Sequence, residues 1–494
     1  MRKLIRCRVK RLARKNDAQA QRSLPIGHIV AAIVLSATAV GASVTGTVSP
    51  LARADGVVQR TAVRLGLPSV SFAVVQNGKL AHVRAYGDAT VNTRYEIGSI
   101  SKQFTAACIL MLQQKGRLRL DDPLAKFLPN LPHARDVTIR QLLDQTSGYP
   151  DYYATLSDPA LFKDTTLTHI VDEYAAQPLD FAPGTSWEYS NTGYAILTQV
   201  VEKVSGMPYG RFVTTRIFEP LHMDSAIYEQ RPAFGRATAV GYDRILLGSK
   251  QPARPEGRDW LNGAAGLAMT AQDLARWDIA LLNQTLLTAD STRAMFSEQH
   301  LKSGASTGYG LGVFVTRANG VMIVSHEGEV QGFTSENGVI PSKQFAVVVL
   351  CNQENSAAPG FLSGAIAGAF GLFPIAPDPP AGSVPIPPKT AAVGDTTALS
   401  RVREVFYALA DGRVSSQMMT PGEATIATAS RLEPLRSRLA AFGPPVAFES
   451  ASHERRGTVL VSSAYIVLSK NRALTLTVGD ALNGKITDIL LEPR

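Results

Sequence analysis

The sequence predicts a domain of the mixed α/β (α+β) class, in which helices flank an antiparallel sheet and a mostly helical insertion interrupts it. Two observations support this prediction: β-rich runs lie at both ends of residues 55–373, and the residues between them are mostly helical in pattern. A third observation is a proline-rich stretch, followed by another helix-and-strand pattern. We therefore expect a small α+β domain at residues 396–494.

The first elements of the larger domain are a predicted hairpin and a helix. Two β-rich runs within residues 69–86 surround Asn77-Gly78, a dipeptide typical of a two-residue hairpin turn. Residues 99–115 space their apolar side chains for one helical face, and Gly116 follows as a helix end.

The middle of this domain is predicted to be helical from residue 121 to about residue 224. Thr270 begins a capping-box pattern that opens a further helix through Leu282. β-rich runs then return at residues 311–315, 321–325, 333–340 and 345–350. This order predicts one sheet that is assembled from strands at both ends of the domain.

A linker at residues 374–395 separates the two predicted domains. Residues 374–388 contain seven prolines, a composition typical of a stiff connection. After it, a helix is expected at 396–410 and strands at 458–468, 473–478 and 485–491. This C-terminal pattern contains no catalytic constellation of its own.

Residues 1–54 predict an export signal. Of the 50 basic and 41 acidic residues in the chain, this segment holds ten and one, which leaves 40 of each. A basic start, an apolar stretch at 26–48 and Ala52-Arg53-Ala54 follow the order of a cleaved signal peptide. An uncleaved membrane anchor at 27–48 is the alternative, and either one predicts a periplasmic or secreted protein. Because the excess charge is confined to this segment, nucleic acid is not an expected partner.

Cysteine and histidine do not indicate a metal site. Cys108 and Cys351 lie in apolar runs that are typical of buried thiols, although a disulfide between them stays open. The eight histidines are scattered without the spacing of metal ligands. We therefore expect neither a metal nor another cofactor.

Ser99-Ile100-Ser101-Lys102 is the first segment that suggests chemistry. Positions three apart share a helical face, so the Ser99 hydroxyl and the Lys102 amine are expected to meet. Serine needs a base to remove its proton, and burial at a helix N-terminus lowers the pKa of a lysine in the required direction. The spacing alone is common, however, and a solvated helix start would also explain it.

Tyr189-Ser190-Asn191 is the second such segment, and it precedes a helix predicted at 192–204. Tyr189 and Asn191 are two positions apart on a loop and can point the same way. A phenol near a cationic lysine loses its proton more easily, so we expect Tyr189 to serve as a base. A tyrosine anchored at a helix entry is the alternative.

In combination, these segments resemble class C-type serine β-lactamases and penicillin-binding-protein-like hydrolases. That family carries S-x-x-K, then Y-x-N, then K/H-x-G on a strand, and the third element corresponds to His326-Glu327-Gly328. Residues 142–148, 183–191 and 332–335 are also similar to the family, and the resemblance covers about residues 57–355. It implies a β-lactamase-like serine hydrolase fold.

The resemblance also implies catalytic roles. Ser99 would attack a carbonyl carbon and become acylated, while Lys102 and Tyr189 would share the proton transfers. The oxyanion hole would consist of the backbone N–H groups of Ser99 and Glu329.

Three further residues would hold the substrate. Asn191 would hydrogen-bond Lys102 and the substrate, His326 would line the strand beside it, and Gly328 would let it lie close to that strand. Since β-lactamases usually carry lysine at the position of His326, the D-peptidase and esterase-like branches are favoured. Glu327 and Glu329 replace the usual small residues, and would repel a substrate carboxylate or select an amine.

A second serine motif, Gly304-Ala305-Ser306-Thr307-Gly308, matches G-x-S-x-G. A nucleophile elbow requires an apolar strand before the serine and a helix after it. Here polar residues precede the motif and a glycine-rich strand follows, so we interpret it as a loop.

The predicted function is therefore hydrolysis of an amide, ester or β-lactam in a small-molecule or peptide substrate, through an acyl-enzyme at Ser99. The alternative is a catalytically silent protein that binds peptidoglycan or D-peptides on the same scaffold. The presence of Ser99, Lys102 and Tyr189 together favours the enzyme. The sequence does not predict the oligomeric state.

Overall fold

The computed structural model describes residues 48–155, 158–228, 238–243, 250–354, 356, 358–373, 396–411, 413, 436, 439, 445–456, 459–469, 472–480 and 486–493. The predicted linker and nearly all of the predicted signal therefore lie outside the described residues.

The helices and strands follow one another in the order that the sequence pattern predicts, with additional short elements. The helices are α1 (Pro50–Leu65), α2 (Ser101–Gln114), α3 (Ile139–Leu143), α4 (Tyr152–Thr155), α5 (Asp158–Leu161), α6 (Leu167–Tyr174), α7 (Asn191–Ser205), α8 (Tyr209–Val213), α9 (Asn262–Ala265), α10 (Ala271–Asn283), α11 (Ala289–Phe296), α12 (Ala358–Ala369) and α13 (Thr396–Ala410). The strands are β1 (Ser69–Gln76), β2 (Lys79–Gly87), β3 (Tyr95–Glu96), β4 (Ile227–Tyr228), β5 (Tyr242–Asp243), β6 (Gln251–Pro252), β7 (Leu267–Met269), β8 (Phe314–Ala318), β9 (Val321–Val330), β10 (Phe333–Ile340), β11 (Phe345–Cys351), β12 (Ala447–Arg456), β13 (Val459–Ser469), β14 (Arg472–Asp480) and β15 (Ile486–Pro493).

One six-stranded antiparallel sheet forms the centre, in the order β2-β1-β11-β10-β9-β8. Strand β1 pairs directly with β11, which confirms that the sheet combines strands from both ends of the domain. Both of these central strands are buried on both faces, apart from the last residue of β1, because helices cover each side. The pairing brings residues 281 positions apart into register, since Val70 lies opposite Cys351.

Helices cover the two faces of this sheet and create two apolar cores. On the outer face, α1 and α12 pack against each other and against side chains such as Phe72 and Val349. On the inner face, α10 packs on β1 and β11, and α2 joins it to the helical region. The inner layer therefore holds the predicted nucleophile segment against the sheet.

Helix α1 begins before the predicted signal cleavage point. Ser49 caps it by accepting a hydrogen bond from the Ala52 N–H at 3.2 Å. The Arg53 guanidinium donates to the Ala369 carbonyl in α12 at 2.7 Å, and Ala54 is fully buried. Cleavage after Ala54 stays a prediction, and it would remove the first turn of this helix.

The boundaries of several elements differ from the sequence patterns. The hairpin around Asn77-Gly78 is confirmed, but β8 begins three residues later than predicted, and β9 continues to Val330. Strand β12 was not predicted, because its polar residues hide the alternation of a strand. The longer β9 matters most, since it carries the third motif.

In the C-terminal part, α13 packs against a four-stranded antiparallel sheet with the order β12-β13-β14-β15. Val402, Phe406 and Leu409 of the helix are buried, as are Ile466 and Leu476 of the sheet. The division into domains at 55–373 and 396–494 remains a prediction.

No helix in the described part of the chain is both long enough and apolar enough to cross a bilayer. The possible anchor at 27–48 lies almost wholly outside that part. Cys108 and Cys351 are separate, buried thiols, and burial raises the pKa of both far above that of a free cysteine.

Candidate active site

Ser99 lies in a 3₁₀ turn, Gly98–Ile100, that leads directly into α2. This differs slightly from the predicted α-helical position, but Lys102 still follows within one turn. Gly98 has a φ of +52°, and a Cβ there would lie 2.6 Å from the backbone N of Glu329. Glycine is therefore required at position 98, because it lets the Ser99 turn lie directly against β9.

Lys102 is fully buried and points at Ser99. Its Nζ lies 3.1 Å from Ser99 Oγ, 2.7 Å from Asn191 Oδ1 and 3.0 Å from the Ala264 carbonyl oxygen. Burial lowers the pKa of Lys102 to about 7, and the nearby Asp151 carboxylate opposes that shift. A large share of the lysine is therefore neutral at physiological pH.

The three contacts define where the lone pair of a neutral Lys102 amine points. A neutral amine has two N–H groups, and the Asn191 and Ala264 oxygens can only accept hydrogen bonds. Both N–H groups are therefore directed to these oxygens, and the lone pair faces the Ser99 hydroxyl. This is the arrangement that a base needs in order to take the serine proton.

Asn191 is held in one orientation by Asp151. Asn191 is the first residue of α7, and its backbone N–H donates to Asp151 Oδ1 at 3.0 Å. Its side-chain Nδ2 donates to Asp151 Oδ2 at 3.2 Å, so its Oδ1 must turn toward Lys102. Asp151 does not stand out in the sequence, where its sole sign is its position three residues after the family-like segment 142–148.

Tyr189 lies beside Lys102. Its side chain is half-buried and its hydroxyl oxygen is enclosed, and this desolvation raises the pKa of Tyr189 well above its ordinary value, although an interaction with Ser99 acts in the opposite direction. The Lys102 amine lies over the face of the ring, 4.7 Å from its centre, rather than beside the oxygen. The raised pKa does not favour the expectation that Lys102 makes Tyr189 a readily formed base, and that role stays a prediction. A phenol with a raised pKa is suited to donate its proton.

His326 lies on β9 as predicted, but both of its ring nitrogens have protein partners. Nδ1 is 2.5 Å from the Glu327 carbonyl oxygen, and Nε2 is 3.0 Å from the Tyr309 hydroxyl. Burial, with a contribution from Lys102, lowers the pKa of His326 to about 3, so the ring is neutral. Nδ1–H then donates to the carbonyl, and Nε2 accepts from Tyr309. His326 therefore supports β9 from its buried side through two hydrogen bonds to the protein, and its role beside the substrate stays a prediction.

Gly328 and Glu329 form the part of β9 that meets the Ser99 turn. A Cβ on Gly328 would clash with the Ile97 carbonyl oxygen, so only glycine fits there. Strand β8 pairs with β9 as far as Ser325, so this pairing ends before the part of β9 that meets the Ser99 turn. The N–H groups of Ser99 and Glu329 thus come from adjacent backbone segments, as an oxyanion hole requires.

A buried hydrogen-bond network lies beneath the site and was also missed from sequence. Gln103 Nε2 donates to Asn337 Oδ1 at 2.8 Å, and Trp277 Nε1 donates to Gln103 Oε1 at 2.9 Å. Asn337 Nδ2 donates in turn to both carboxylate oxygens of Asp278 at 2.7 and 2.9 Å. These bonds join α2 to β10 and α10, so they fix the helix that carries Lys102.

The second serine motif is a loop, as predicted. Ser306 is exposed, its hydroxyl donates to Glu298, and neither a strand nor a helix adjoins it in the way that a nucleophile elbow requires. Within the described ranges, no group of three His, Cys, Asp or Glu residues is arranged to bind a metal ion.

Comparisons with known proteins identify the family of the chain. The family model for β-lactamases matches residues 54–367 of this chain. Protein flp of Staphylococcus aureus (strain NCTC 8325 / PS 47) is 29% identical over 325 residues, which are 62% of this chain and 64% of that protein. This chain thus spans less than two thirds of the length of that relative.

Two further similarities concern a protein and a solved structure. The putative penicillin-binding protein PbpX of Bacillus subtilis (strain 168) is 30% identical over 304 residues, covering 58% of this chain and 71% of PbpX. The crystal structure of a D-stereospecific amidohydrolase from Streptomyces sp. superposes with a TM-score of 0.55 at 28% identity, covering 61% of this chain and 94% of that one. Since the family match extends over more than half of the sequence, this chain belongs to the β-lactamase family and has the β-lactamase-like fold of the related serine hydrolases.

Proposed function

We propose that the protein is a serine hydrolase that cleaves an amide or ester bond through an acyl-enzyme on Ser99. The observation that carries this proposal is the buried Lys102 amine, 3.1 Å from Ser99 Oγ, with two carbonyl acceptors for its N–H groups. A helix start without catalytic function would not need a lysine that is removed from water and lowered in pKa.

In acylation, Lys102 accepts the Ser99 proton as the oxygen attacks the substrate carbonyl carbon. The carbonyl electrons move to its oxygen, which the N–H groups of Ser99 and Glu329 stabilise. The C–N or C–O bond then breaks, and the leaving group takes a proton from Tyr189. The proton held by Lys102 replaces the one that Tyr189 has lost.

In deacylation, water attacks the acyl carbon and transfers a proton to Lys102. The bond between Ser99 Oγ and the acyl group then breaks, and Lys102 returns the proton to the serine. The products are a carboxylic acid and an amine or alcohol, and the site regains its starting state.

The charges beside β9 favour an uncharged or amine-bearing substrate over an anionic one. His326 is neutral, and the side chains of Glu327 and Glu329 are exposed on either side of Gly328. A substrate carboxylate near these side chains would meet acidic groups. Together with the likeness to a D-stereospecific amidohydrolase, this supports amides of amino acids, in particular D-amino acids, as the first substrates to test.

A turnover panel tests this proposal. We expect cleavage of a D-amino-acid anilide and of p-nitrophenyl butyrate, weak hydrolysis of nitrocefin, and little cleavage of a peptide that ends in D-Ala-D-Ala. The Ser99→Ala variant should lose all turnover with an unchanged melting temperature, while Ser306→Ala serves as the control and should retain it. Absence of turnover on all four substrates would favour the silent binding protein instead.

We also propose that the protein is exported to the periplasm or beyond, and that residues 396–494 form a separate domain after the linker. The pattern of residues 1–54 and the proline content of 374–395 support these proposals. N-terminal sequencing of protein from the native host would identify the start of the mature chain. Limited proteolysis should cut first within the linker, and a first cut elsewhere would contradict the division.

A further inference from the structure

Within the described part of the chain, Asp151 accepts three hydrogen bonds. Oδ1 accepts from the backbone N–H groups of Asn191 at 3.0 Å and of Tyr153 at 3.2 Å, while Oδ2 accepts from Asn191 Nδ2 at 3.2 Å. Burial raises the pKa of Asp151, and the Asn191 N–H groups and Lys102 act against that effect. Since donors face both oxygens, these contacts suit the carboxylate and not the protonated acid.

These contacts determine the polarity of the Asn191 amide. A carboxylate can only accept, so the Nδ2 end of the amide must face Asp151 and the Oδ1 end must face Lys102. If the amide turned over, Nδ2 would face Lys102, and the amine lone pair would accept a hydrogen bond from it. That lone pair would then be lost to Ser99.

The charge of Asp151 also acts on Lys102. The titratable side chains around the amine are the Tyr189 and Tyr194 rings, with centres at 4.7 and 5.3 Å, together with His326 and Asp151. The two phenols and the imidazole are neutral, because burial acts on all three. Of these four groups, Asp151 is the one that carries a charge, and its attraction opposes the effect of burial on Lys102.

We propose that Asp151 is a positioning residue for the acylation of Ser99, which acts through Asn191 to direct the Lys102 lone pair at the serine. This inference rests on the proposed function. It connects the Y-x-N motif with a residue that lies 40 positions before Asn191 in the chain. Asp151 touches neither the nucleophile nor a substrate position in the described contacts, so it acts through Asn191 and Lys102.

A purely structural role is the competing explanation, because Asp151 also accepts from Tyr153 and so caps the start of α4. The two explanations differ in what an Asp151→Asn change should do. The new side chain keeps an oxygen for the backbone N–H groups, so the cap persists. Its amide group now faces Asn191 Nδ2, however, and the Asn191 amide must turn over.

The experiment measures the rate at which a fluorophosphonate labels Ser99, from pH 5 to 9, with thermal unfolding in parallel. We expect Asp151→Asn to slow labelling by roughly 10²-fold, the scale of a misdirected general base. The double variant Asp151→Asn/Asn191→Asp restores a donor at position 151 and an acceptor at 191. It should recover at least about tenfold of that loss.

The double variant also provides a pH signature that a cap alone would not produce. Labelling slows at low pH because Lys102 becomes protonated, and this part of the pH profile is its acid limb. In the double variant the carboxylate at position 191 would contact Lys102 directly and raise the lysine pKa. The acid limb would therefore lie at higher pH than in the unmodified protein. Asp273→Asn is the matched control, since Asp273 is likewise buried and accepts the Ser225 backbone N–H at 2.8 Å, but at the start of α10. It should label at the unmodified rate.

Labelling of Asp151→Asn at the unmodified rate would overturn this inference. The inference would also be overturned if the double variant recovers none of the labelling rate, or if its acid limb lies at the same pH as in the unmodified protein. The double variant decides the question even if the single variant unfolds. If the unmodified protein itself is not labelled at Ser99, the proposed function fails first, which is a distinguishable result.

Discussion

Lys102 and His326 are two buried basic side chains that both lie near the Tyr189 ring, yet their surroundings differ. Lys102 has three oxygen partners and a carboxylate nearby, and its pKa falls to about 7. His326 lies among Tyr189, Tyr309 and Phe314, and its pKa falls to about 3.

Burial lowers the pKa of both groups by a similar amount, from 10.5 at Lys102 and from 6.5 at His326, so the two final values differ because the ordinary pKa values of lysine and histidine differ. The Asp151 carboxylate limits the fall in the pKa of Lys102, whereas Lys102 itself adds to the fall in the pKa of His326. The lysine therefore titrates in the working range of an enzyme, and the histidine stays neutral throughout that range. The lysine region is suited to proton transfer, and the histidine region to holding β9 in place.

Removing the Lys102 amine should have the largest effect. Lys102→Met keeps the volume of the side chain but removes the base, so acylation should slow by roughly 10³-fold or more. Single-turnover kinetics with p-nitrophenyl butyrate would measure it, with Lys126→Met as the control at an exposed lysine. A change in KM alone would show that Lys102 binds substrate rather than serving as the base.

Removing the Tyr189 hydroxyl should have a large effect that depends on the leaving group. Because Tyr189 is protonated, Tyr189→Phe should slow hydrolysis of an anilide by roughly 10²-fold, since an amine must leave with a proton. Hydrolysis of a p-nitrophenyl ester should fall less than about tenfold, because that leaving group departs as an anion. Equal losses on both substrates would indicate instead that Tyr189 acts as a base in the attack.

The pH profile should report Lys102 and not His326. Lys102 must be neutral to accept a proton, so kcat/KM should fall as the pH drops through about 7, and it should rise toward a plateau above that value. His326→Gln should leave this acid limb in place apart from a small shift, since the imidazole does not titrate there. Loss of the limb in that variant would identify His326 as the base.

Changes around His326 should have the smallest effect on chemistry and a larger one on stability. Tyr309→Phe removes the hydroxyl that donates to His326 Nε2, which leaves a buried acceptor without its partner. The free energy of unfolding should fall by about 1–3 kcal/mol, while kcat changes less than about tenfold. Chemical denaturation would measure the free energy of unfolding, and steady-state kinetics on the same samples would measure kcat. A loss confined to kcat would contradict a supporting role for His326.

The sequence predicted the sheet and the three motifs because each of these depends on local patterns. The spacing of Ser99 and Lys102, the Asn77-Gly78 hairpin and the strand that carries His326 all follow from residues close together in the chain. The family resemblance then supplied the order of the motifs and the expected roles.

What the sequence did not predict depends on contacts between distant segments. The pairing of Asp151 with Asn191 and the network of Gln103, Asn337 and Asp278 join positions that no local pattern connects. The ionisation state of Tyr189 depends on burial, and the partners of the His326 nitrogens depend on where β9 lies. Position in a motif specified which residues meet, but not their charge or orientation.

The central claim is that a neutral Lys102 activates Ser99. The most direct test is peptide mapping by mass spectrometry after fluorophosphonate treatment at several pH values. We predict one adduct, on the peptide that contains Ser99, which forms faster as the pH rises through about 7 and more slowly by orders of magnitude in Lys102→Met. An adduct on Ser306, no adduct at all, or labelling of Ser99 that is unchanged in Lys102→Met would contradict it.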